Sequence, residues 1–251
     1  MSEALTQDDF LGGKIKVWQP RRGYRAGVDP VILAASVPAK PGQSVLELGC
    51  GVGVASLCLA ARVPDLRVTG VELQADYAAL AQRNGVENGQ QFDVITADLR
   101  DLPADLRQKR FHHVMMNPPY FDRTVGTASE DNGKDIAFGG DTPLRDWVDV
   151  AAKRVGPRGH LTLIQRMERL PEVLAIITGR LGAIVVRPIA GRAGRVPELF
   201  LLQARQDGKT PFRMVPTLIM HEGDSHQGDQ ESYRPEVARA LREGVSLPIS
   251  D

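Results

Sequence analysis

The sequence predicts an α/β fold in which a mostly parallel β-sheet carries helices on both faces and finishes with an antiparallel hairpin. From about residue 43 to 205, apolar strand-like runs alternate with helix-like stretches. This alternation is typical of parallel sheets that are covered on both sides. Only the short segment "AGRAGRVP" separates the last two strand-like runs, 183–189 and 198–205. A parallel connection needs a dozen or more residues, so this pair is predicted to be antiparallel.

Apolar periodicity, together with glycine and proline residues at the ends of segments, predicts the bounds of the individual strands and helices. Strands are predicted at 44–49, 67–73, 92–98, 111–117, 160–166, 183–189 and 198–205. Helices are predicted at 54–63, 75–89, 143–155 and 169–182, and "GPRG" after residue 155 is a helix stop signal.

The remaining residues flank this core within what we expect to be a single domain: an extension (1–42), the core (43–206) and a polar tail (207–251). In the extension, "IKVWQPRRGYRAG" (15–27) could form a small hairpin. "DPVILAASV" (29–37) predicts a short helix that Asp29 caps and a proline opens. The tail predicts one helix near 235–242 and loop elsewhere, and its polar composition leans toward disorder.

Composition narrows the class of protein. The chain has 42% hydrophobic and 25% charged residues, as ordinary soluble domains do. No apolar run reaches roughly 18 residues, and the polar start "MSEALTQDDF" does not resemble a signal peptide. The only cysteines, Cys50 and Cys58, make a disulfide framework unlikely and favour the cytoplasm. A net charge of zero gives no global signal for nucleic acid, although a local basic face would remain compatible with it. We expect neither a metal ion nor a membrane partner.

A glycine-rich turn, "ELGCGVG" (47–53), follows the first core strand and opens a helix. Gly49, Gly51 and Gly53 allow a tight turn and the close approach of a ligand to the backbone. Glycines that serve packing alone are the alternative for such a turn.

Two carboxylates follow at the ends of the next strands. Glu72 lies about 20 residues beyond the turn, where an acidic side chain can accept both hydroxyls of a ribose. Asp98 can accept a hydrogen bond from an exocyclic amine, as in adenine, or it can simply cap a helix. NAD would also suit Glu72, but Val54 stands where the dinucleotide fingerprint has its third glycine. A nucleoside with an amine and a carboxylate on its tail fits as well or better.

These features resemble the class I S-adenosylmethionine-dependent methyltransferases, through "ELGCGVG", "GVEL", "TADL", the strand–helix rhythm and the closing hairpin. The resemblance spans roughly residues 43 to 205 and implies a Rossmann-like seven-stranded sheet and S-adenosylmethionine as cofactor. It implies that Gly49, Gly51 and Gly53 contact the methionine part, Glu72 the ribose and Asp98 the adenine. The implied cofactor-binding set is Glu47, Gly49, Gly51, Gly53, Glu72, Leu73, Asp98, Leu99 and Asn117.

The fourth strand ends abruptly in "NPPY" (117–120), because two prolines cannot continue a strand. In the class I fold this corner lies beside the cofactor's methyl group. An exocyclic amino nitrogen is a poor nucleophile, since its lone pair is delocalised into the ring. The side-chain oxygen of Asn117 and the carbonyl of Pro118 can each accept one amino hydrogen and expose that lone pair. Pro119 stiffens the corner, and Tyr120 offers a stacking face to a flipped-out base.

The motif therefore resembles amino-methyltransferases, with Asn117, Pro118, Pro119 and Tyr120 as the catalytic residues. Such chemistry needs no general base, so we interpret the adjacent histidines at 112 and 113 as core or packing residues. "NPPY" alone leaves open adenine in RNA, adenine in DNA, and a glutamine amide of a release factor. A non-catalytic cofactor-binding module is a further alternative, which the intact motif disfavours.

The flanks "GYRAGVDPVILAASV" (23–37), "ELFLLQAR" and "LIMHEG" (218–223) resemble the bacterial tRNA adenine-N6-methyltransferases that modify the adenosine beside the anticodon of a valine tRNA. By that resemblance, the partner is a nucleic acid, most simply tRNA. The implied substrate-binding residues are Tyr24, Arg25, Asp29, Tyr120, Phe121, Arg192 and Arg195. Scattered solvated arginines, and an Arg25–Asp29 pair at a sheet edge, are the structural alternatives. The glycine-rich stretch 121–143 is predicted to be a loop that orders on substrate binding.

Overall fold

The computed structural model describes residues 5–120, 142–223 and 232–249. Its strands are β1 Leu5–Phe10, β2 Ile15–Pro20, β3 Ser44–Leu48, β4 Arg67–Glu72, β5 Phe92–Thr96, β6 Phe111–Met116, β7 Val155–Arg166, β8 Gly182–Ala190, β9 Leu199–Arg205, β10 Arg213–Met214 and β11 Leu218–Ile219. Its helices are α1 Asp29–Ser36, α2 Val54–Arg62, α3 Ala75–Glu87, α4 Ala104–Gln108, α5 Leu144–Arg154, α6 Leu170–Ile177 and α7 Pro235–Glu243.

The main sheet has the order β8-β9-β7-β6-β3-β4-β5. Strands β3 to β7 are parallel where they pair, whereas β9 is antiparallel to both β7 and β8. The predicted seven-stranded sheet and its closing antiparallel hairpin are therefore confirmed. Two short strands, β10 and β11, add parallel pairs along the outer edge of β8, where the sequence predicted loop. Two residues are too few to leave a period-2 signal in the sequence.

Helices cover both faces, as predicted, because neighbouring strand residues point to opposite sides. On β3, Val45 packs into a core formed with α1, α2 and α7. The next residue, Leu46, packs into a second core formed with α4, α5 and α6. The helix α4 was not predicted. It is only five residues long and has a single fully buried side chain, Leu106.

The N-terminal hairpin begins ten residues earlier than predicted. Strand β1 pairs with β2, and the tight turn between them uses Gly12 and Gly13 at φ values of 66° and 87°. Glycine tolerates this left-handed backbone, so the reversal forms before residue 15 rather than within 15–27. Asp29 was also predicted wrongly as a helix cap. The capping position is Val28, and the Asp29 carboxylate instead accepts a hydrogen bond from the Tyr120 hydroxyl.

The described part of the polar tail is packed against the rest of the domain, although its polar composition favoured disorder. The face of α7 buries Val237 and Ala240, and the segment after it buries Leu247. The Leu247 N–H donates to the Ala35 carbonyl of α1 at 2.8 Å. A second boundary also differs, because β7 starts at Val155 and includes the "GPRG" residues predicted as a stop. A shift in the β6–β7 register accommodates them.

Candidate active site

A cavity of about 370 Å³ opens at the carboxyl ends of the parallel strands β3, β4, β5 and β6. Ligands of open α/β sheets bind at this edge. Many of the predicted site residues line the cavity: Tyr24, Glu47, Gly49, Gly51, Glu72, Leu73, Asp98, Leu99, Asn117 and Pro119. Residues up to 95 positions apart in the chain, Tyr24 and Pro119, thus meet in one site.

The three glycines of the turn between β3 and α2 do not all serve the same purpose. All three adopt positive φ values, and Gly51 has φ 54°. A Cβ built on Gly51 would have as its nearest neighbour the Tyr24 ring at 3.9 Å, so this position leaves space on the cavity side. At Gly49 a Cβ would overlap the Trp147 ring of α5, and at Gly53 it would lie 2.7 Å from the Phe92 ring. Gly53 is therefore explained by packing, and Gly51 by the cavity.

Glu72 is held at the tip of β4 by backbone donors. Its Oε2 accepts the Gly51 N–H at 2.9 Å, and its Oε1 accepts the Gln74 N–H at 2.9 Å. Burial raises the pKa of this carboxyl, and the backbone hydrogen bonds partly oppose that rise. Each oxygen keeps a further lone pair, so the carboxylate can still accept hydroxyl groups from the cavity.

Glu47 lies deeper, on β3, and its Oε2 accepts hydrogen bonds from the N–H and the hydroxyl of Ser56 at 3.1 and 2.5 Å. Burial raises the pKa of Glu47 to about 8, although the Ser56 hydrogen bonds lower it and nearby Glu72 raises it further. This raised pKa favours the protonated form of the carboxyl at neutral pH.

Asp98 lines the cavity and also caps a short 3-10 turn, so the capping alternative is observed while its role toward an adenine amine stays a prediction. Its Oδ1 accepts the Arg100 N–H at 2.8 Å, and its Oδ2 pairs with the Arg100 guanidinium at 2.6 Å. The hydrogen bond from Arg100 lowers the pKa of Asp98. Leu73, which is 46% exposed, and the buried Leu99 add apolar surface next to the two acids.

The proline corner after β6 presents an acceptor that lacks a donor. The Oδ1 atom of Asn117 is buried on the cavity wall, and the described residues supply no hydrogen-bond partner for it. Buried polar atoms in folded proteins are nearly always paired, so an orphan on a cavity wall calls for an explanation. A ligand N–H that enters the cavity would satisfy it.

The rest of the corner is held from two sides. The Gln165 Nε2 donates to the carbonyls of Pro118 and Pro119 at 3.3 and 3.4 Å. The Tyr120 hydroxyl donates to Asp29 Oδ2 at 2.5 Å. Burial, followed by the charge of Asp29, raises the pKa of Tyr120, so its hydroxyl is a donor at neutral pH. Pro118 and Tyr120 are adjacent to the cavity but are not among the described residues that line it.

One face of the Tyr120 ring already has a neighbour. The Arg166 guanidinium carbon lies 5.8 Å from the ring centroid, within the range of a cation–π contact. Arg166 stands at the end of β7 and therefore at the same edge of the sheet as the corner. The sequence prediction did not include it.

The predicted substrate residues outside the cavity have structural partners. Arg25 pairs with Asp8 at 2.6 Å and donates to Thr6, rather than pairing with Asp29. Arg192 donates to the Glu222 and Gly223 carbonyls. Their roles toward a substrate stay predictions.

Arg195 and Phe121 were also predicted to bind the substrate. Arg195 is exposed in the β8–β9 turn, at the carboxyl edge of the sheet. Phe121, and the loop prediction for 121–143 except its last two residues, lie outside the described residues.

His113 is a packing residue, as predicted, whereas His112 is exposed near the start of β6 and is not part of the core. His113 is buried, stacks on His160 with 5.6 Å between ring centroids, and contacts the Gln43 Oε1 through Nε2 at 2.8 Å. Burial lowers the pKa of His113 to about 3. His112 contacts Ser44 at the start of β3, so both rings lie toward the amino ends of the strands and away from the corner.

Sequence reasoning missed two aromatic residues of the cavity wall, Tyr77 of α3 and Trp147 of α5. Tyr77 donates to the Tyr24 carbonyl at 3.3 Å and so ties the extension to the core. Trp147 lies almost 100 positions from Gly49, and only the tertiary fold brings them together. Its signal was a bulky aromatic in an amphipathic helix that carries five charged residues among eleven.

The described ranges, 5–120, 142–223 and 232–249, contain neither a membrane span nor a metal-binding cluster. No helix there is long and apolar enough to cross a membrane. No cluster of three or more histidine, cysteine or acidic residues there could hold a metal ion.

The chain is similar to methyltransferases of known families. Residues 27–132 match the methyltransferase small domain family. A protein of Porphyromonas gingivalis named tRNA1(Val) (adenine(37)-N6)-methyltransferase is 28% identical over 249 residues, 94% of each chain. The protein of the same name from Yersinia enterocolitica is 31% identical over 208 residues, 78% of this chain and 79% of that one.

Solved structures share the fold. A predicted O-methyltransferase from Agrobacterium tumefaciens superposes with a TM-score of 0.70 at 24% identity, over 88% of this chain and 98% of that one. A 16S rRNA N2 G1207 methyltransferase of T. thermophilus, solved with AdoMet and guanosine, gives a TM-score of 0.56 at 22% identity. That match covers 81% of this chain and 50% of the other.

Proposed function

This chain belongs to the tRNA1(Val) (adenine(37)-N6)-methyltransferase family, and we propose that it methylates the N6 amino group of the adenine beside the anticodon of a valine tRNA. It is an S-adenosylmethionine-dependent N-methyltransferase. The observation that carries the proposal is the buried Asn117 Oδ1, an acceptor on the cavity wall with no donor among the described residues. A tRNA substrate would place the protein in the cytoplasm.

The cavity suits the cofactor on the observations already described. The open backbone at Gly51 leaves room for the methionine part, and Glu72 offers free lone pairs to ribose hydroxyls. Asp98 would accept from the adenine amine, with Leu73 and Leu99 against the ring. When bound, S-adenosylmethionine supplies a methyl group made electrophilic by a sulfonium. The protein's own contribution is to hold an acceptor in line with that group.

The corner makes the acceptor nitrogen reactive. Asn117 Oδ1 and the Pro118 carbonyl would each accept one hydrogen of the adenine amino group and so draw its lone pair out of the ring. Both hydrogen bonds strengthen as positive charge develops on the nitrogen, which favours the transition state over the ground state. Gln165 uses one lone pair of the Pro118 carbonyl, and the second remains for the substrate. The proton becomes acidic once the bond to carbon forms, so no side chain needs to act as a base.

Tyr120 would receive the flipped base. Its hydroxyl is tied to Asp29 and one side of its ring faces Arg166, so the ring orientation is set before substrate arrives. Base–aromatic stacking contributes about 1–3 kcal/mol per base. Asp29 belongs to α1, and through it the N-terminal extension would position the stacking face as well as form part of the cavity wall.

The test compares Asn117→Ala with Asn88→Ala, a matched change of a side chain that bonds β2 outside the cavity. We expect Asn117→Ala to lose roughly 100-fold or more in methyl transfer, as when one oxyanion-hole donor is removed. Its affinity for S-adenosylmethionine, measured by calorimetry, should change little. Retained activity in Asn117→Ala would refute the role of this oxygen.

The substrate is tested with a valine tRNA transcript and the same transcript carrying guanine in place of the target adenine. Nucleoside mass spectrometry should detect N6-methyladenosine in the first transcript only. Total rRNA, DNA and a release factor are assayed in parallel with labelled cofactor. Label in the release factor alone would establish the glutamine alternative and overturn the RNA substrate.

A further inference from the structure

A buried amide on the neighbouring strand contacts the catalytic corner. Gln165, near the end of β7, is 0% exposed. Its Nε2 donates to the consecutive carbonyls of Pro118 and Pro119 at 3.3 and 3.4 Å, and its Oε1 accepts the Arg166 N–H at 2.8 Å. The side chain therefore uses both its donor and its acceptor groups inside the protein.

The register of the sheet explains this placement. Met116 pairs with Leu163 in the parallel β6–β7 ladder. Pro118 and Gln165 each lie two residues beyond this pair, so they lie side by side. Leu161 and Leu163 point into the apolar core, and strand alternation directs residue 165 to the same face. A polar residue there would be costly without partners. The corner supplies partners, because the prolines end the ladder and leave their carbonyls without strand donors.

We propose that Gln165 is a positioning residue for methyl transfer. Its amide straddles the two carbonyls and sets the direction of the Pro118 acceptor relative to Asn117, so that both meet one amino group together. This inference rests on the proposed function of the corner. Both distances are longer than the usual range for N–H···O bonds, so each of the two bonds is weak. Gln165 therefore directs the Pro118 carbonyl while leaving most of its acceptor strength to the substrate.

The decisive variant is Gln165→Met, which keeps the length of the side chain and removes both donors. Its matched control is Gln203→Met on β9, where an amide donates to the Thr162 hydroxyl at 3.4 Å. Single-turnover methyl transfer is measured at saturating cofactor and tRNA, with the affinity for each measured separately. We expect Gln165→Met to slow transfer by roughly 10- to 100-fold, since small misplacements of reacting groups have effects of that size. Both affinities should stay within about twofold, and Gln203→Met should match the wild type.

A folded Gln165→Met with the wild-type rate overturns the inference, as does an equal loss in Gln203→Met. A loss confined to binding, with the saturated rate unchanged, also overturns it. Gln165→Glu is the second variant, because it keeps the shape and the acceptor for Arg166; the same loss of rate supports the inference. If neither variant folds, the role is structural and the inference fails. A wild-type protein that methylates no RNA refutes the proposed function itself, whereas an active wild type with unaffected variants refutes only Gln165.

Discussion

The buried carboxyl of Glu47 should make the stability of the protein fall as the pH rises from about 4.5 to about 8. In the folded state burial raises the pKa of Glu47 to about 8 from its ordinary 4.5. Between these values the unfolded chain releases the proton and the folded protein keeps it. Because the folded state then binds more protons, the free energy of unfolding decreases with rising pH.

The size of the effect follows from the same two values. At about 1.4 kcal/mol for each tenfold change in the ionisation constant, the difference between 4.5 and about 8 amounts to at most about 5 kcal/mol. Glu47→Gln removes this loss, since the amide stays neutral at every pH and still accepts from Ser56. The free energy of unfolding of the variant, taken relative to that of the wild type, should therefore increase as the pH rises from about 5 to about 9.

Urea unfolding of the cofactor-free wild type and of Glu47→Gln, at about pH 5 and about pH 9, measures the difference between their free energies of unfolding. Glu236→Gln on the exposed side of α7 is the control, and it should follow the wild type at both. Parallel pH dependences for the wild type and Glu47→Gln would refute the reasoning, because they would show that Glu47 ionises in the folded protein as it does in the unfolded chain.

Two further substitutions test the corner and the turn. Gly49→Ala should lower the free energy of unfolding by about 2–4 kcal/mol and weaken cofactor binding, because the new Cβ meets Trp147 at a positive φ. Gly42→Ala, also at positive φ but in open space, should cost only about 1 kcal/mol, and equal effects of the two variants in thermal unfolding would contradict the overlap. Tyr120→Phe should lose about 1.5–3 kcal/mol of stability with the hydrogen bond to Asp29, while methyl transfer persists on the retained ring. Unchanged urea unfolding of Tyr120→Phe would show that this hydrogen bond contributes nothing.

The core of the fold was predictable because its signals are local. Strand β3 is mostly apolar, with Val45, Leu46 and Leu48, the glycine turn follows at once, and the short "AGRAGRVP" link allows only an antiparallel pair. The first strand β1, by contrast, reads "LTQDDF" and looks polar. It is a half-exposed partner of β2, so its pairing depends on the Gly12–Gly13 turn rather than on burial. Polar strands of this kind carry little hydrophobic periodicity.

The residues of the candidate site also divide into those that the sequence predicted and those that it did not. Asn117 and Glu72 are at strand ends, and parallel strands place such ends at one edge, so their presence in one cavity followed from the sequence. Trp147 and Gln165 were not predicted, because the helix packing that brings Trp147 to Gly49 and the strand register that brings Gln165 to Pro118 are defined only by the assembled sheet. The structural partner of Arg25 was missed for a related reason, since Asp8 lies on the unpredicted strand β1.

The packing of residues 235–249 on the extension has a consequence for how the protein is made. Helix α7 contacts the Leu11–Gly13 turn, the Lys14 ammonium donates to the Glu243 carbonyl, and Leu247 bonds to α1. The ribosome synthesises α1 early, and it synthesises the contacting segment 235–249 more than 200 residues after the start of α1. We expect the nascent chain to fold its sheet first and to complete the α1 side of the cavity only after α7 has left the exit tunnel. Stalled chains that lack this segment would then have the central sheet of the mature enzyme. Their catalytic site would lack the contacts that α7 and Leu247 make with the extension.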